Sequence, residues 1–503
     1  MLKRVSYACG QFTRHARMSS HSRHMARTLR DIALLVLSLV VIAAGAAQLE
    51  RMRSFAEPRA LTLGGAPATF YEGGDAGLVI VSHGFAGSRQ MMEAIALTLA
   101  RAGHDVVAFD YPGHGRHGAL LSRDVERITG TTEDLVEQTI AVAEDAVRLT
   151  GAEEISLVGH SMATDVIVRA ADRLEGVRAV AAISMYSDAV TATHPARLLI
   201  VSGEREGRLR DVALDAVRGV GEGAEGETVG EDGILRRAVV APRVGHVGVL
   251  WSGTTAREVA AWLGPETQAV SIGPWIAALL LAIVIAAYPL STLLLPRIET
   301  GAAGPARRAM LAALVGSIAA VIAGATALPA LGTAAFGALA LSLGAWGVVT
   351  LGLLRPRLSW SRGDAGAAAL MLAWGLGVFA LALDRYGAAF VPTGPRLGLM
   401  VLLIPATLVF GVADRALVHG RGLGMRLLLR LPVLCALSAV IALRSDPMGL
   451  VFTVIPVLVL YWLVYGTMAG WMARRAGPAG VGLASGVILA WSLAASTPLF
   501  AAG

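Results

Sequence analysis

The sequence predicts an α/β fold with a doubly wound, mostly parallel sheet, joined to an all-α polytopic transmembrane domain. Three observations carry this. Between residues 55 and 266, short apolar runs of strand length alternate with helix patterns, as βα units require. Beyond residue 272, apolar segments of about 20 residues follow one another, each long enough to cross a bilayer. The composition, 55% hydrophobic with a mean hydropathy of +0.62, is too apolar for a soluble chain of 503 residues.

Taken in order, residues 1–30 form a basic tail with Lys3, Arg4, Arg14, Arg17, Arg23, Arg27 and Arg30. It shows no structural pattern, and Met18 and Met25 are alternative starts. Residues 31–48 read as a transmembrane signal-anchor. The segment is short and Ala44-Gly45-Ala46 resembles a signal-peptidase site, so cleavage is the alternative. The α/β domain of residues 55–266 follows. Residues 77–82 are a continuous apolar run, as in a strand covered on both faces, and end in His83-Gly84-Phe85-Ala86-Gly87-Ser88. Residues 105–109 end in Asp110-Tyr111-Pro112-Gly113-His114-Gly115. Residues 155–158 run into Gly159-His160-Ser161-Met162-Ala163 and a helix to about Leu174. A serine on so sharp a strand-to-helix turn has its hydroxyl pushed out of the sheet. The helix N-terminus behind it favours the negative charge that develops in acyl transfer. Residues 177–183 lead to Ser184-Met185-Tyr186, and residues 195–201 to Ser202-Gly203-Glu204-Arg205-Glu206. The last strand, 237–242, precedes Val244-Gly245-His246-Val247-Gly248 and a closing helix at 255–263.

In this order and spacing the markers resemble the α/β-hydrolase family over roughly residues 61–263. The pentapeptide is similar to that family's nucleophile elbow, G-x-S-x-G, with Ala163 as the least disruptive replacement of the last glycine. The resemblance implies a lidless serine hydrolase of the dienelactone hydrolase or lipase kind. Ser161 is then the nucleophile, His246 the general base and Glu206 the acid, with Glu204 and Asp188 as alternative acids. It also implies an oxyanion hole from the backbone N–H groups of Phe85 and Met162. About eight residues separate Tyr186 from Pro195, too few for the helical lid that many relatives insert there. His83 is expected to be structural. Asp110, His114 and His117 are expected to shape the loop beside the pocket. They lack an accompanying cluster with ligand spacing, so neither metal nor cofactor is expected.

The domain of residues 272–503 holds about eight spans, near 275–295, 309–328, 334–354, 366–383, 397–413, 427–443, 450–470 and 481–500. Arginines orient them. The basic tail faces the cytoplasm, and the same side receives Arg297, Arg307, Arg308, Arg355, Arg357, Arg362, Arg415, Arg421, Arg426, Arg430, Arg474 and Arg475. The opposite side receives Arg385, Arg396 and Arg444. The net charge of +6 follows from this topology and requires no nucleic acid. One lysine against 42 arginines, with abundant Ala and Gly, points to a GC-rich bacterial genome, hence to the bacterial cytoplasmic membrane. Cys9 lies in the tail and Cys435 in a span, so no disulfide is expected. Asp384, Arg385, Asp414, Arg415 and Asp446 fall at span ends, where anchoring is the expected role.

The leading function is a membrane-bound serine hydrolase (EC 3, ester-bond subclass 3.1 first). It cleaves an ester, thioester or amide outside the cytoplasm, in a small-molecule or lipid-like acyl substrate. The plan resembles, in architecture alone, the GPI inositol-deacylases of eukaryotes. The alternatives are an acyltransferase using the same triad, and a transporter or scaffold whose hydrolase-like domain only binds ligand. The oligomeric state is left open. A reporter enzyme that works only outside the cytoplasm should be active when fused after Leu263 and silent after Arg308 or Arg475. Activity from the Arg475 fusion reverses the orientation or changes the span count.

Overall fold

The structure, a computed structural model, describes residues 2–501 except 126, 297–302, 328–335, 357, 359 and 445–451; of residues 2–21 it describes the backbone alone. Arg297, Arg357 and Asp446 therefore lie outside the described residues, as do the edges of the spans expected at 309–328, 334–354 and 450–470.

Nine strands form one sheet. They are β1 (Arg59–Leu63), β2 (Ala66–Tyr71), β3 (Leu78–Ser82), β4 (Asp105–Phe109), β5 (Ile155–His160), β6 (Val177–Ile183), β7 (Arg197–Gly203), β8 (Thr228–Val229) and β9 (Leu235–Ala241). The spatial order is β1-β2-β4-β3-β5-β6-β7-β9-β8. The strands from β4 to β9 are parallel to their neighbours, and β1, β2 and β8 are antiparallel additions at the edges. Every residue of β3 and β5 is buried, which is why β3 reads as a continuous apolar run rather than an alternating one. The sequence reading passes over the β1–β2 hairpin, whose strands are only five and six residues long.

Helices cover both faces. α1 (Leu2–Ser54) precedes the sheet, and α2 (Glu93–Arg101), α3 (Glu133–Thr150), α4 (Met162–Ala171), α5 (Gly207–Arg218) and α6 (Gly253–Leu263) are interleaved with the strands. The tail that lacks a sequence pattern is thus helical, continuous with the first apolar segment. One core cluster joins α3, α4 and α5 to the sheet. The other contains α2 and α6 and runs on without a break into the helical half, through Val270, Ile272 and Leu279.

That half comprises α7 (Gly273–Leu294), α8 (Ala306–Ala325), α9 (Phe336–Leu354), α10 (Arg362–Trp374), α11 (Leu381–Tyr386), α12 (Pro395–Val418), α13 (Leu423–Leu443), α14 (Val454–Ala476) and α15 (Ala479–Ser496). A wider-turned π segment, Gly375–Ala380, joins α10 to α11 as one span-length rod. Among the described residues, nine helices are long and apolar enough to cross a membrane, the first being Ser22–Ser54. Small residues let them touch. A Cβ on Gly45 would stand 3.3 Å from that of Leu279, so Ala44-Gly45-Ala46 serves helix packing as well as resembling a cleavage site. The span expected at 481–500 ends earlier, at Ser496. Thr497 precedes Pro498 and turns extended, with φ −91 and ψ 137.

The segment after it crosses into the α/β domain. Leu499 N–H donates to Gly113 O (2.9 Å), Leu121 N–H to Leu499 O (2.9 Å) and Ala501 N–H to Leu121 O (2.9 Å). Beside it Arg396, 3% exposed, donates to five carbonyls. Gly113 (2.8 Å) and Gly115 (2.9 Å) belong to the loop after β4, and Ala494 (2.8 Å), Ala495 (3.3 Å) and Thr497 (2.7 Å) to the end of α15. Asp384 pairs with Arg116 and accepts from Phe390 N–H (2.8 Å) and Val391 N–H (2.9 Å), so it docks the two halves rather than anchoring a span end. The three arginines on the minority side of the charge bias all have such partners. Arg385 pairs with Glu50 (2.9 Å), Arg396 clamps the carbonyls, and Arg444 reaches Gly324 O (3.2 Å) and Ala327 O (2.5 Å).

Removing the clamp orphans buried carbonyls. Arg396→Met should cost about 3 kcal/mol or more of stability, and Arg396→Lys should recover less than half, because an ammonium cannot fork to five acceptors. Thermal unfolding in detergent checks both; a Met variant as stable as wild type removes the clamp from the account.

Candidate active site

The strand-to-helix turn puts Ser161 at φ 52 and ψ −117, a backbone region costly for a residue with a side chain. The turn closes because small residues flank it. A Cβ on Gly159 would lie 2.8 Å from Ala163 O. Gly84 is needed for a second close approach, since its Cβ would meet His160 Nδ1 at 2.9 Å and Ser161 Cβ at 3.0 Å. The loop after β3 therefore lies directly against the serine.

His246 stands beside it. Its Nε2 is 2.8 Å from Ser161 Oγ and its Nδ1 is 2.6 Å from Glu206 Oε1. The carboxylate requires Nδ1 to carry the proton, which leaves Nε2 to accept from the serine hydroxyl. Glu206 is buried and held from three more directions. Gly203 N–H donates to Oε2 (2.6 Å) and so does Ser184 Oγ (2.8 Å), while its own N–H caps back to Gly203 O (3.0 Å). Burial pushes this carboxyl up, but the hydrogen bonds from His246, Gly203 and Ser184 outweigh it and hold Glu206 below its ordinary value. The structure does not bring the alternative acids here. Glu204 accepts from Arg243 N–H (2.6 Å), and Asp188 is exposed and paired with Arg169.

Met162 opens α4, so its N–H has no acceptor within the helix. Among the described residues the Phe85 N–H meets no backbone acceptor either. Both flank Ser161, one in chain and one across the Gly84 contact.

Behind the serine is a shell of buried imidazoles. His83 Nε2 accepts from Tyr111 N–H (3.1 Å) and its Nδ1–H donates to Gly84 O (2.8 Å). His114 donates to Pro112 O (2.9 Å), and His117 bridges Ala119 N–H (3.0 Å) and Gln138 Oε1 (3.3 Å). Asp110 accepts from Arg89 N–H (2.9 Å) and Arg116 N–H (3.0 Å) and pairs with the Arg89 guanidinium, tying three loops. Among the described residues no group of three ligating side chains could hold a metal. His160 escapes the sequence reading although it occupies the variable place in the pentapeptide. Its Nε2–H donates to His246 O (2.8 Å) and so fixes the loop carrying the base. Ser184, which steadies Glu206, also goes unread; its one signal is its place at a strand end.

The helical half borders the site. The Phe85 ring stacks on Phe452 (5.7 Å between centroids, 15°) and lies 6.3 Å from Phe500. Phe452, Val247 and Tyr186 are exposed apolar groups around this mouth.

Residues 77–215 match the family model of the alpha/beta hydrolase fold. The parallel sheet, with Ser161 on the turn between β5 and α4, is that fold, here carried on a helical half of span-length apolar helices. No curated protein matches the chain. Solved structures do. TT1662 of Thermus thermophilus is 22% identical, covering 41% of this chain and 96% of its own, at TM-score 0.31. A membrane phospholipase A, described as a bacterial virulence factor, is 17% identical over 47% of this chain and 95% of its own, at TM-score 0.32. An epoxide hydrolase of Vigna radiata is 22% identical, with 26% of this chain and 40% of that chain covered, at TM-score 0.21. The chain thus spans about two-fifths of that enzyme's length, and none of the three passes a substrate to this chain.

Burial pushes His83 below the usual imidazole range, His114 well below it, and His160 down to about 4. Unfolded, these rings take up protons as pH falls through about 6.5; folded, they resist. The stability carried by their neutral forms is present above that pH and lost below it, by up to about 1.4 kcal/mol per pH unit for each ring. Thermal melts from about pH 7.5 down to 5 should show a falling Tm, and His160→Gln should flatten the slope. A Tm independent of pH over that window contradicts neutral burial.

Proposed function

We propose that this protein is a membrane-bound serine hydrolase that cleaves an ester, thioester or amide of a lipid-like acyl substrate. In this reading it sits in a bacterial cytoplasmic membrane with the α/β domain outside. The observation that carries the chemistry is the unbroken hydrogen-bond chain from Ser161 Oγ through His246 to Glu206, at 2.8 and 2.6 Å. Ser161 Oγ attacks the acyl carbon while its proton passes to His246 Nε2. Glu206, kept ionised, stabilises the imidazolium. The Phe85 and Met162 N–H groups meet the oxyanion, a contribution of about 10²-fold or more where one such donor has been removed elsewhere. His246 then gives the proton to the leaving group. Water, deprotonated by the same ring, releases the acyl group from Ser161. The lipid-like substrate rests on the apolar mouth, where Phe452 and Phe500 of the helical half join Phe85 of the oxyanion loop.

A fluorophosphonate probe should label Ser161. Ser161→Ala should abolish labelling while leaving membrane insertion intact. His246→Ala should slow it strongly, and Glu206→Gln should lower hydrolysis by up to about 10⁴-fold, against little change in Glu204→Gln and Asp188→Asn. Well-folded protein that resists the probe, or labels elsewhere, sinks the enzyme reading in favour of a ligand-binding scaffold. A severe loss in Asp188→Asn with Glu206→Gln near normal reassigns the acid.

A further inference from the structure

At the end of the helical half away from the α/β domain, α12, the loop after it, α13 and α14 enclose a cavity of about 290 Å³. Its walls include Arg415, His419, Arg421, Arg426 and Arg474, and Gly470 leaves part of them bare. α12 starts against the α/β domain at Arg396. At 1.5 Å per residue, Arg415 lies about 30 Å further along it.

Among the described residues the charge here does not balance. Asp414 is the carboxylate of the cluster, and it is already engaged by Arg430 (2.7 and 2.6 Å) and Arg415 (2.8 Å). Asp364, the other carboxylate near the end of α14, caps its own helix through Ser361 and faces Gly480 N–H (3.4 Å). Among the described residues Arg421, Arg426 and Arg474 form no ion pair. Arg421 reaches Leu417 O (2.9 Å) and Gly304 O (2.9 Å), and Arg426 reaches Arg421 O (2.7 Å). Yet the guanidiniums converge. A Cβ built on Gly470 would lie 3.2 Å from Arg426 Nη1 and 4.0 Å from Arg415 Nη1. Burial first, and then the facing charges of Arg415 and Arg426, hold His419 below the usual imidazole range.

Topology alone does not account for this. Arginines that only mark the cytoplasmic side reach into water. Here Arg415 is 4% exposed and Arg430 is 7% exposed, with the face of Trp462 4.8 Å from Arg430. Like charges crowded into a half-enclosed space repel one another unless an anion enters between them. A guanidinium fork matches tetrahedral phosphoryl oxygens, and basic pockets between membrane helices suit such headgroups.

We infer that this cavity is a binding site for a phosphoryl anion, supplied either by an anionic phospholipid headgroup or by a soluble phosphate compound. The inference is independent of the hydrolase chemistry.

The test is thermal unfolding of the purified full-length protein in uncharged detergent at constant ionic strength. Cardiolipin is added in one arm, with phosphatidylcholine as its control, and inorganic pyrophosphate in the other. Wild type should gain about 3 °C or more in at least one arm. Arg426→Gln/Arg474→Gln should lose that gain, and Arg307→Gln, an exposed arginine of α8 outside the cavity, should keep it. Arg474→Gln alone, at an exposed position, should halve the gain or more and serves if the double variant does not fold. A gain with cardiolipin alone assigns a lipid headgroup, and a gain with pyrophosphate alone a soluble phosphate. No gain in either arm overturns the site. So does a gain that survives in the cavity variants, or one lost equally in Arg307→Gln.

Discussion

One guanidinium holds the two halves in register. Arg396 leaves the first turn of α12 and spreads across carbonyls from two distant parts of the chain, the loop after β4 and the end of α15. Carbonyls at a helix end lack partners by construction, and glycine-rich loops expose theirs. A planar five-donor head meets both needs at once, which no other side chain could do. That loop also carries His114, whose ring lies 5.6 Å from Phe85. Through two contacts the clamp reaches the residue beside the candidate nucleophile.

The second constraint is crowding. Gly84 and Gly159 allow backbone approaches that a Cβ would block, and Ser161 sits between them at a positive φ. Strain of this kind persists where surrounding structure over-determines it. Here the fixed pieces include the buried imidazole of His83, bonded through both ring nitrogens, and that of His160, held by the His246 carbonyl, while Phe452 and Val247 on the other side are exposed.

Much of this was legible beforehand because the informative residues are local. The continuous apolar run of β3 needs neighbours on both faces, and it ends where the loop of His83 and Phe85 begins. Ser161, Glu206 and His246 each follow a strand at a readable offset, and the structure brings these three together. What was illegible depends on partners far away in sequence. Arg396 looked like a loop arginine on the minority side of the charge bias, and Asp384 like an anchor. Nothing near Phe452 or Phe500 says that an aromatic ring from another domain waits for them. Apolar composition continues through Leu499 and Phe500, so the sequence predicts a longer last span than α15, which ends at Ser496. The change of conformation is set by Thr497-Pro498, and those apolar side chains are spent on the α/β domain.

The clamp also sets an order of events in biosynthesis. Arg396 is made 283 positions after Gly113, and the strand-like partner of Leu121 later still. The strand pairing of the sheet can form as soon as its own strands emerge, since its ladder bonds lie within residues 59–241. The loop beside Ser161 cannot reach its final shape until the helices that follow have threaded into the bilayer and come back to meet it. A nascent chain therefore carries an unfinished cleft throughout insertion. The cleft is complete only when Arg396 and the segment at Leu499 are in place against it.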